Sequence, residues 1–469
     1  MSVDGKWRCR SIERIEACNN AEVSARAHHR ARHYVQQANR WASHREPAPQ
    51  LPGEPIHPGL LAQIWATLKL GLAGLISPLW APAIMFRANV NNRRAQQLTI
   101  DFPAQVRRIA NGETPTLLGN TVAELPAEIR LAIISDQHRG IAGRLDWQRR
   151  QRTEPIVQAL LQHYADGEWH LCENGDIEDF WSVGGSTSGA IYDMLRILGA
   201  LLDRIGQPAL SIETARYQLN AIIANHFEIY RVIRDEFVAK GRYVRTIGNH
   251  DNVIRRPMVA DQLRAHLGVH PIADFVALRS GDQLVALVAH GHHTDGWNAP
   301  FRDNLGKLSS WMASTLIDVP RLDSPEGLPP QAATTVILEG RLPNKLITIN
   351  PIFGANSSYD SLDEELLANS IAAAGLDHIW YLLGHTHSPV EAPVMSRGIK
   401  WKRYANSGSG LVQDVVTAIE WDGTVENPTA RVVAWTLDSL GVAQRIELFT
   451  ESAPEPDRPE PGIEQPVGN

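Results

Sequence analysis

The stretch WYLLGHTHSP, residues 380–389, joins an apolar run to a pair of histidines. Its first four residues are aromatic or aliphatic, as in a buried β-strand, and Gly384 then ends the run. His385 and His387 follow two positions apart, so their side chains leave the backbone on the same side. The stretch therefore predicts a buried strand whose end presents two imidazoles to one site.

Four other short apolar runs end in polar clusters in the same way. Each is rich in aliphatic or aromatic residues, which is the signature of a buried strand. The four runs are IRLAIISDQH (129–138), WHLCENGD (169–176), YVRTIGNHD (243–251) and LVALVAHGHH (284–293). Helical stretches lie between several of them, and a β-rich region (403–450) follows, so we predict a layered α/β core with ligands at the strand ends.

The clearest helical stretch is 211–241, where apolar residues recur every three or four positions. Ser211 is placed to cap its start and Gly241 its end. His226 lies on the apolar stripe, and we interpret it as a core histidine with a hydrogen-bond partner and not as a ligand. Cys172 lies inside an apolar strand and is interpreted as a small hydrophobic residue.

Side chains that suit metal ions follow all five runs. A mixture of imidazoles, carboxylates and one amide suits Mn, Fe or Zn better than an all-oxygen calcium site. The candidate ligands are Asp136, His138, Asp176, Asn249, His290, His385 and His387. Because these are too many for one ion, we expect two divalent or mixed-valence metal ions that share a carboxylate.

Three neighbours of these candidates keep two interpretations each. Asp251 is either a partner behind the ligands or an acid of the turn. His292 and His293 are either substrate contacts or residues of the loop after His290.

The order of the clusters resembles the calcineurin-like metallophosphoesterase superfamily, which reads D-x-H, G-D-x-x-D, G-N-H-D/E, H and G-H-x-H along the chain. The resemblance covers about residues 129–410 and includes YANSGSG (404–410), which is similar to the N-x-G-S strand that follows the last motif. It implies a four-layer α/β/β/α metallophosphoesterase sandwich.

The resemblance also implies a role for each residue. The ligands of the two metals would be Asp136, His138, Asp176 and His387 for the first, and Asp176, Asn249, His290 and His385 for the second. A hydroxide bridging the metals would attack phosphorus, His250 would protonate the leaving oxygen as general acid, and Asp179 would orient His250. The expected activity is hydrolysis of a phosphomonoester or phosphodiester.

The chain departs from two branches of this superfamily. Phosphoprotein phosphatases carry an Arg after the G-D-x-x-D motif, but Phe180 and Trp181 follow Asp179 here, which argues against that activity. GDIEDFW (175–181) and GHTHSP resemble motifs of UDP-2,3-diacylglucosamine pyrophosphatases, although those enzymes usually read G-N-R-D where this chain reads GNHD (248–251). The second expectation is therefore a pyrophosphatase acting on a lipid- or nucleotide-linked pyrophosphate at the membrane surface.

Composition disfavours the other classes that we considered. The net charge of −7 makes nucleic acid a poor partner, so a nuclease is a weaker alternative. A metal-binding scaffold without catalysis is disfavoured because every ligand position and His250 are filled.

Three widely spaced cysteines predict no disulfide framework, and the first residues lack the apolar core of a secretory signal, so we expect a cytoplasmic protein.

We expect three parts in the chain: a helical N-terminal extension (1–128), the metallophosphoesterase domain (129–450) and a disordered tail rich in Pro and Glu (451–469). The apolar segment 60–86 of the extension is a transmembrane helix, a helix in the membrane interface, or a helix packed on protein. The interface option predicts peripheral membrane contact. The insertion before Gly384, with Trp297 and Trp311, either covers the metals or serves packing alone.

Overall fold

The computed structural model describes most of the predicted metallophosphoesterase domain. The described residues are 97–448 without 117–118, 141–145, 151, 182–208, 296–297, 299–366, 368, 388, 392–393, 397–398, 402, 412–414 and 438–441. Most of the predicted extension with its segment 60–86, Trp297 and Trp311 of the insertion, and the tail lie outside the described residues. None of the helices described here is long and apolar enough to cross a membrane.

Strands and helices alternate through the first part of the described chain, and strands dominate its end. The strands are β1 (Val122–Pro126), β2 (Arg130–Ile134), β3 (His170–Asn174), β4 (Tyr243–Thr246), β5 (Ile272–Ala273), β6 (Phe275–Ser280), β7 (Gln283–Ala289), β8 (Trp380–Leu383), β9 (Pro389–Glu391), β10 (Val394–Ser396), β11 (Ile399–Trp401), β12 (Tyr404–Ser407), β13 (Val415–Asp422), β14 (Thr429–Leu437) and β15 (Ala443–Glu447). The five strands predicted before the polar clusters are confirmed as β2, β3, β4, β7 and β8.

The α-helices are α1 (97–110), α2 (Trp147–Arg150), α3 (Glu154–Asp166), α4 (Ala209–Asn225), α5 (Phe227–Val232), α6 (Pro257–Leu267) and α7, which ends at residue 373. A π-helix (Ile233–Val238) continues α5, and short 3-10 helices cover Asn252–Arg255 and His292–Thr294.

Thirteen of the fifteen described strands form two mixed sheets, and β10 and β11 pair with each other as an antiparallel ribbon. In the seven-stranded sheet the order is β15-β14-β13-β2-β3-β4-β5, with β2 to β5 parallel and β13 to β15 antiparallel. In the six-stranded sheet the order is β1-β6-β7-β8-β12-β9, and β7, β8 and β12 run parallel. The carboxyl ends of β2, β3 and β4 therefore meet at one edge, and those of β7 and β8 meet at an edge of the other sheet.

Three clusters of buried apolar side chains hold the fold together. In the first, Leu160 of α3 and Leu263 of α6 pack with residues of the seven-stranded sheet. In the second, Val106 of α1 packs with residues of the six-stranded sheet. The third contains side chains of both sheets, including Ile133 of β2 and Val288 of β7. Apolar contact between the sheets thus brings their two strand edges together.

The prediction of one continuous helix over 211–241 is wrong, because helical geometry is interrupted at His226, between α4 and α5. At the break His226 leaves helical geometry, with φ −110° and ψ 32°, and its Nε2 lies 3.0 Å from Oδ2 of Asp146. The buried imidazole reaches this carboxylate, which confirms His226 as a core histidine with a partner and explains the break. Gly241, at φ 66°, follows the helix end as predicted, but Ser211 lies inside α4 and is not its cap.

Candidate metal centre

Hydrogen bonds join the two sheets at the ends of the strands that carry the predicted ligands. Nδ2 of Asn174, the last residue of β3, donates to the carbonyl oxygen of Ala289 at 2.9 Å. Nδ1 of His290 donates back to the carbonyl oxygen of Asn174 at 2.9 Å, and the amide of Gly384 donates to the carbonyl oxygen of His290 at 2.9 Å. The two edges therefore form one surface, on which all five polar clusters meet.

The first group of donors on this surface comprises Asp136, His138 and His387, whose ligand atoms lie within 4.8 Å of one another. Nε2 of His387 lies 3.2 Å from Oδ1 of Asp136, and Nε2 of His138 lies 3.9 Å from Oδ2 of Asp176. Oδ1 of Asp136 and Nε2 of His138 are buried and make no hydrogen bond with the residues that the structure describes. Buried polar atoms of this kind are normally satisfied, so their orientation toward a common point fits a bound cation.

The second group comprises Asp176, His290 and His385, again with ligand atoms within 4.8 Å of one another. Nε2 of His290 lies 3.2 Å from Oδ2 of Asp176 and 3.2 Å from Oδ1 of Asn249. Because Nδ1 of His290 donates a hydrogen bond to a backbone carbonyl, Nε2 is the nitrogen that would ligate a metal in place of its proton. Asp176 thus faces His138 of the first group and His290 of the second.

The backbone is strained at most of these residues. Among the described non-glycine residues, seven have a positive φ, and five of those seven are predicted ligands. They are Asp136 (51°), His138 (45°), Asp176 (52°), His385 (73°) and His387 (59°). Such conformations cost roughly 1–3 kcal/mol each and persist where the surrounding structure enforces them, most often at functional sites.

Asp176 and His290 each favour the charged form of the other. Burial by itself raises the pKa of Asp176, but the imidazoles of His290 and His250 outweigh burial and hold that pKa well below its ordinary value. Burial lowers the pKa of His290, yet the carboxylates of Asp176 and Asp136 raise it to about 10 overall. A histidine that binds a proton this tightly lies in a strongly negative field, and the same field attracts a divalent cation.

Two glycines of the motifs allow close approach between the loops. A Cβ at Gly175 would lie 2.6 Å from Cγ of His290, and Gly175 also has a positive φ of 78°. A Cβ at Gly248 would overlap the backbone nitrogen and Oδ1 of Asp176. The glycines before Asp176 and Asn249 therefore set the spacing between these residues and their neighbours in the other loops.

We expect Gly248→Ala to weaken metal binding because the new methyl group must displace Asp176. The loss should resemble that caused by misorienting a ligand, about 10–100-fold in affinity, measured by competition of Zn²⁺ with a chromophoric chelator. Gly281→Ala is the matched control, since its positive φ strains an alanine but no atom lies within 4 Å of the added Cβ. Equal metal affinities in the two variants would contradict the prediction.

His250 lies beside both groups and is held on two sides. Its Nδ1 lies 3.0 Å from Oδ1 of Asp179, and its ring stacks on the indole of Trp181 with centroids 4.1 Å apart. Oδ2 of Asp179 lies 3.6 Å from Nδ1 of His138, so one carboxylate orients both imidazoles. Burial lowers the pKa of His250, but Asp179 and Asp176 outweigh burial and raise it above its ordinary value. The arrangement presents Nε2 of a readily protonated imidazole at the edge of the cluster.

Asp251 is a partner behind the ligands and not only an acid of the turn. Its Oδ1 accepts a hydrogen bond from the amide of Gly248 at 2.7 Å, and its Oδ2 accepts one from the amide of Ile177 at 3.1 Å. This carboxylate therefore connects the loop that carries Asn249 with the loop that carries Asp176.

The fully buried guanidinium of Arg245 pairs with Asp251 and so stabilises the contact between the two loops. Nη2 of Arg245, on β4, lies 2.8 Å from Oδ2 of Asp251 and pairs with Glu178, and Nη1 lies 3.6 Å from Oε2 of Glu173. Tyr230, which lies on α5, donates a hydrogen bond from its hydroxyl group to Oε1 of Glu178 at 2.5 Å. Arg245, Glu173 and Glu178 are not among the residues predicted from the sequence, because nothing in a strand or turn pattern indicates that buried charges meet.

We expect Arg245→Met to destabilise the fold by about 3–5 kcal/mol, since it leaves buried carboxylates without their cation. Urea denaturation followed by circular dichroism measures the change in the free energy of unfolding. Arg264→Met is the control, because Arg264 pairs at 3.3 Å with the exposed Asp261 and such surface pairs contribute about 0–1 kcal/mol. Similar losses in both variants would refute a structural role for the buried network.

The remaining residues named from the sequence, His292, His293 and Cys172, are all buried. His292 and His293 are both buried in the 3-10 helix after His290, and the ring of His293 stacks on Phe275 with centroids 4.7 Å apart, which favours packing over substrate contact. Cys172 is a free, buried cysteine in the core between the sheets, as predicted.

Asp295 is a further residue of the site that was not predicted from the sequence. Its Oδ2 lies 3.0 Å from Nε2 of His385. The only feature of the sequence that could have indicated a role for Asp295 was its position five residues after His290.

Comparison with known proteins adds no family assignment. No protein-family model matches the chain, and no curated protein matches it significantly. The described residues are thus a mixed α/β structure with clusters of Asp and His that could hold a metal ion.

Proposed function

We propose that the protein is a dinuclear metal-dependent phosphoesterase of the calcineurin-like type. The observation that carries the proposal is the convergence of the seven predicted ligands from two sheets on one buried surface, with five of them in strained left-handed turns. The fold belongs to the same proposal: two sheets with an apolar core between them, and helices packed on each sheet, support a four-layer α/β/β/α sandwich.

The donor set defines the metals that we propose. Asp136, His138 and His387 would hold one ion, His290, His385 and Asn249 the other, and Asp176 would be shared. Imidazole nitrogens mixed with carboxylate and amide oxygens suit Mn, Fe or Zn. Cations bound there would supply neutralisation of the phosphoryl charge and acidification of a water molecule.

The chain's own residues supply the proton and its orientation. In the proposed hydrolysis, hydroxide derived from water forms the new bond to phosphorus, and the bond from phosphorus to the leaving oxygen breaks. His250 gives the proton on Nε2 to that oxygen, since Nδ1 is engaged by Asp179 at 3.0 Å. Trp181 stacks on the ring and restricts its rotation, so Nε2 keeps one direction.

The test is metal-dependent hydrolysis by the full-length chain after removal of metals with a chelator. We expect p-nitrophenyl phosphate or bis-p-nitrophenyl phosphate to be hydrolysed only after Mn²⁺ or Zn²⁺ is restored, with two ions bound per chain by elemental analysis. Two bound ions without turnover of any ester would instead support a metal-binding scaffold. Absence of bound metal under all conditions would overturn the proposal.

The same assay separates the other activities. Faster hydrolysis of a lipid-linked pyrophosphate in detergent micelles than of both aryl esters would favour the pyrophosphatase. Cleavage of DNA that falls steeply with added salt would favour a nuclease, because such binding releases counterions.

A further inference from the structure

Asp295 contacts a proposed metal ligand although it belongs to none of the motifs. It directly follows the 3-10 helix His292–Thr294, and its amide donates to the carbonyl oxygen of His292 at 3.2 Å. The side chain is almost completely buried, and its Oδ2 lies 3.0 Å from Nε2 of His385. A buried carboxylate at this distance from an imidazole accepts a hydrogen bond from the ring nitrogen.

This contact decides which nitrogen of His385 is available to a metal. When Nε2 carries the proton donated to Asp295, the lone pair lies on Nδ1. Asp295 is not one of the three residues of the group formed by Asp176, His290 and His385. With Nε2 of His385 engaged by Asp295, Nδ1 is the nitrogen left available to that group.

His290 shows the same arrangement with the nitrogens exchanged. Its Nδ1 donates to the carbonyl oxygen of Asn174 at 2.9 Å, while its Nε2 lies 3.2 Å from Asp176. Both imidazoles of the second group thus have one nitrogen anchored behind the site and the other directed into it. Ligating histidines are commonly oriented in this way, and loss of the anchor typically lowers metal affinity about 10–100-fold.

We propose that Asp295 is a positioning residue of the second metal position, which fixes the tautomer and orientation of His385 so that Nδ1 is the ligating nitrogen. The inference rests on the proposed function, because it needs a metal in this position. The first position should be unaffected, because Asp295 contacts His385 and His385 belongs to the second group alone. Loss of Asp295 should therefore weaken one of the two ions selectively.

The first experiment is a competitive titration of the full-length, metal-free chain with Zn²⁺ and a chromophoric chelator. We expect Asp295→Ala to weaken one Zn²⁺ site about 10–100-fold and to leave the other unchanged. Asp295→Asn retains an oxygen that accepts the Nε2 proton, and we expect it to restore most of the affinity. Asp261→Ala is the control, because Asp261 is an exposed acid on α6.

The second experiment locates the proton on His385 directly. In Zn²⁺-loaded protein labelled with ¹⁵N-histidine, two-bond ¹H–¹⁵N correlations should show His385 protonated at Nε2 and ligated at Nδ1, and the pattern should change in Asp295→Ala. Ligation through Nε2, or equal Zn²⁺ affinities in Asp295→Ala and the wild type, would overturn this inference and leave the metal site intact. Wild-type protein that binds no Zn²⁺ would overturn the proposed function together with it.

Discussion

Asp176→Asn is expected to lower the affinity of the full-length chain for Mn²⁺ or Zn²⁺ by more than about 100-fold, beyond the ~10–100-fold typical of residues that only orient a ligand. Asp176 faces donors of both groups: Nε2 of His138 at 3.9 Å and Nε2 of His290 at 3.2 Å. In the proposed dinuclear site the shared negative charge would offset the repulsion between two cations held close together, and asparagine removes that charge. Elemental analysis after gel filtration measures the bound metal.

The expected loss is specific to this carboxylate. Asn is close to Asp in size, and Oδ1 of the replacement can still accept the hydrogen bond from the amide of His250, which is 2.7 Å long in the wild type. The loop should therefore keep its shape. Asp261→Asn changes an exposed carboxylate on α6 and should retain both ions. Full occupancy of both metals in Asp176→Asn would disprove the shared-ligand assignment.

His250→Ala is expected to slow hydrolysis of esters with poor leaving groups by about 10²–10⁴-fold while both metals stay bound. An alkoxide needs a proton as it departs, and in the proposed mechanism the imidazole of His250, whose Nδ1 lies 3.0 Å from Asp179, would supply it. A p-nitrophenolate is stable without a proton, so the same variant should hydrolyse p-nitrophenyl esters much more nearly at the wild-type rate. Steady-state rates for a phenyl and a p-nitrophenyl ester of the same phosphate measure the difference.

The control for His250 is His266→Ala. His266 lies on α6 with an exposed ring whose Nε2 contacts Asn220 at 2.8 Å, so its loss should change neither rate. Equal losses for both esters in His250→Ala would instead assign His250 to substrate binding or to the metal site.

These variants also separate the roles of the individual residues of the site. In the proposed mechanism Asp176 would act on the cations, His250 on the leaving group, and Asp295 on a single metal ligand. Arg245 acts on the loops that carry the ligands, so its loss should appear in the free energy of unfolding. A variant series that gave one common phenotype would show that the cluster responds only as a folded unit.

The amino-acid sequence by itself was enough to predict the five strands that end in polar clusters and the candidate donors that follow them. Local patterns are sufficient for both, because an apolar run such as that of β8 and the D-x-H or G-H-x-H spacing lie within about ten residues. The glycines of the motifs were visible for the same reason, and their function in close approach agrees with the contacts of Gly175 and Gly248.

Tertiary structure alone decided which residues meet. The five strands divide between two sheets, and the amide of His385 donates to Oδ2 of Asp136 although the two residues are 249 positions apart. The break at His226, the network of Arg245 and the contact of Asp295 with His385 depend on partners that are distant in the chain. Pairing of buried charges is a property of the packed interior, where desolvation makes each group require a partner, and no local periodicity records it.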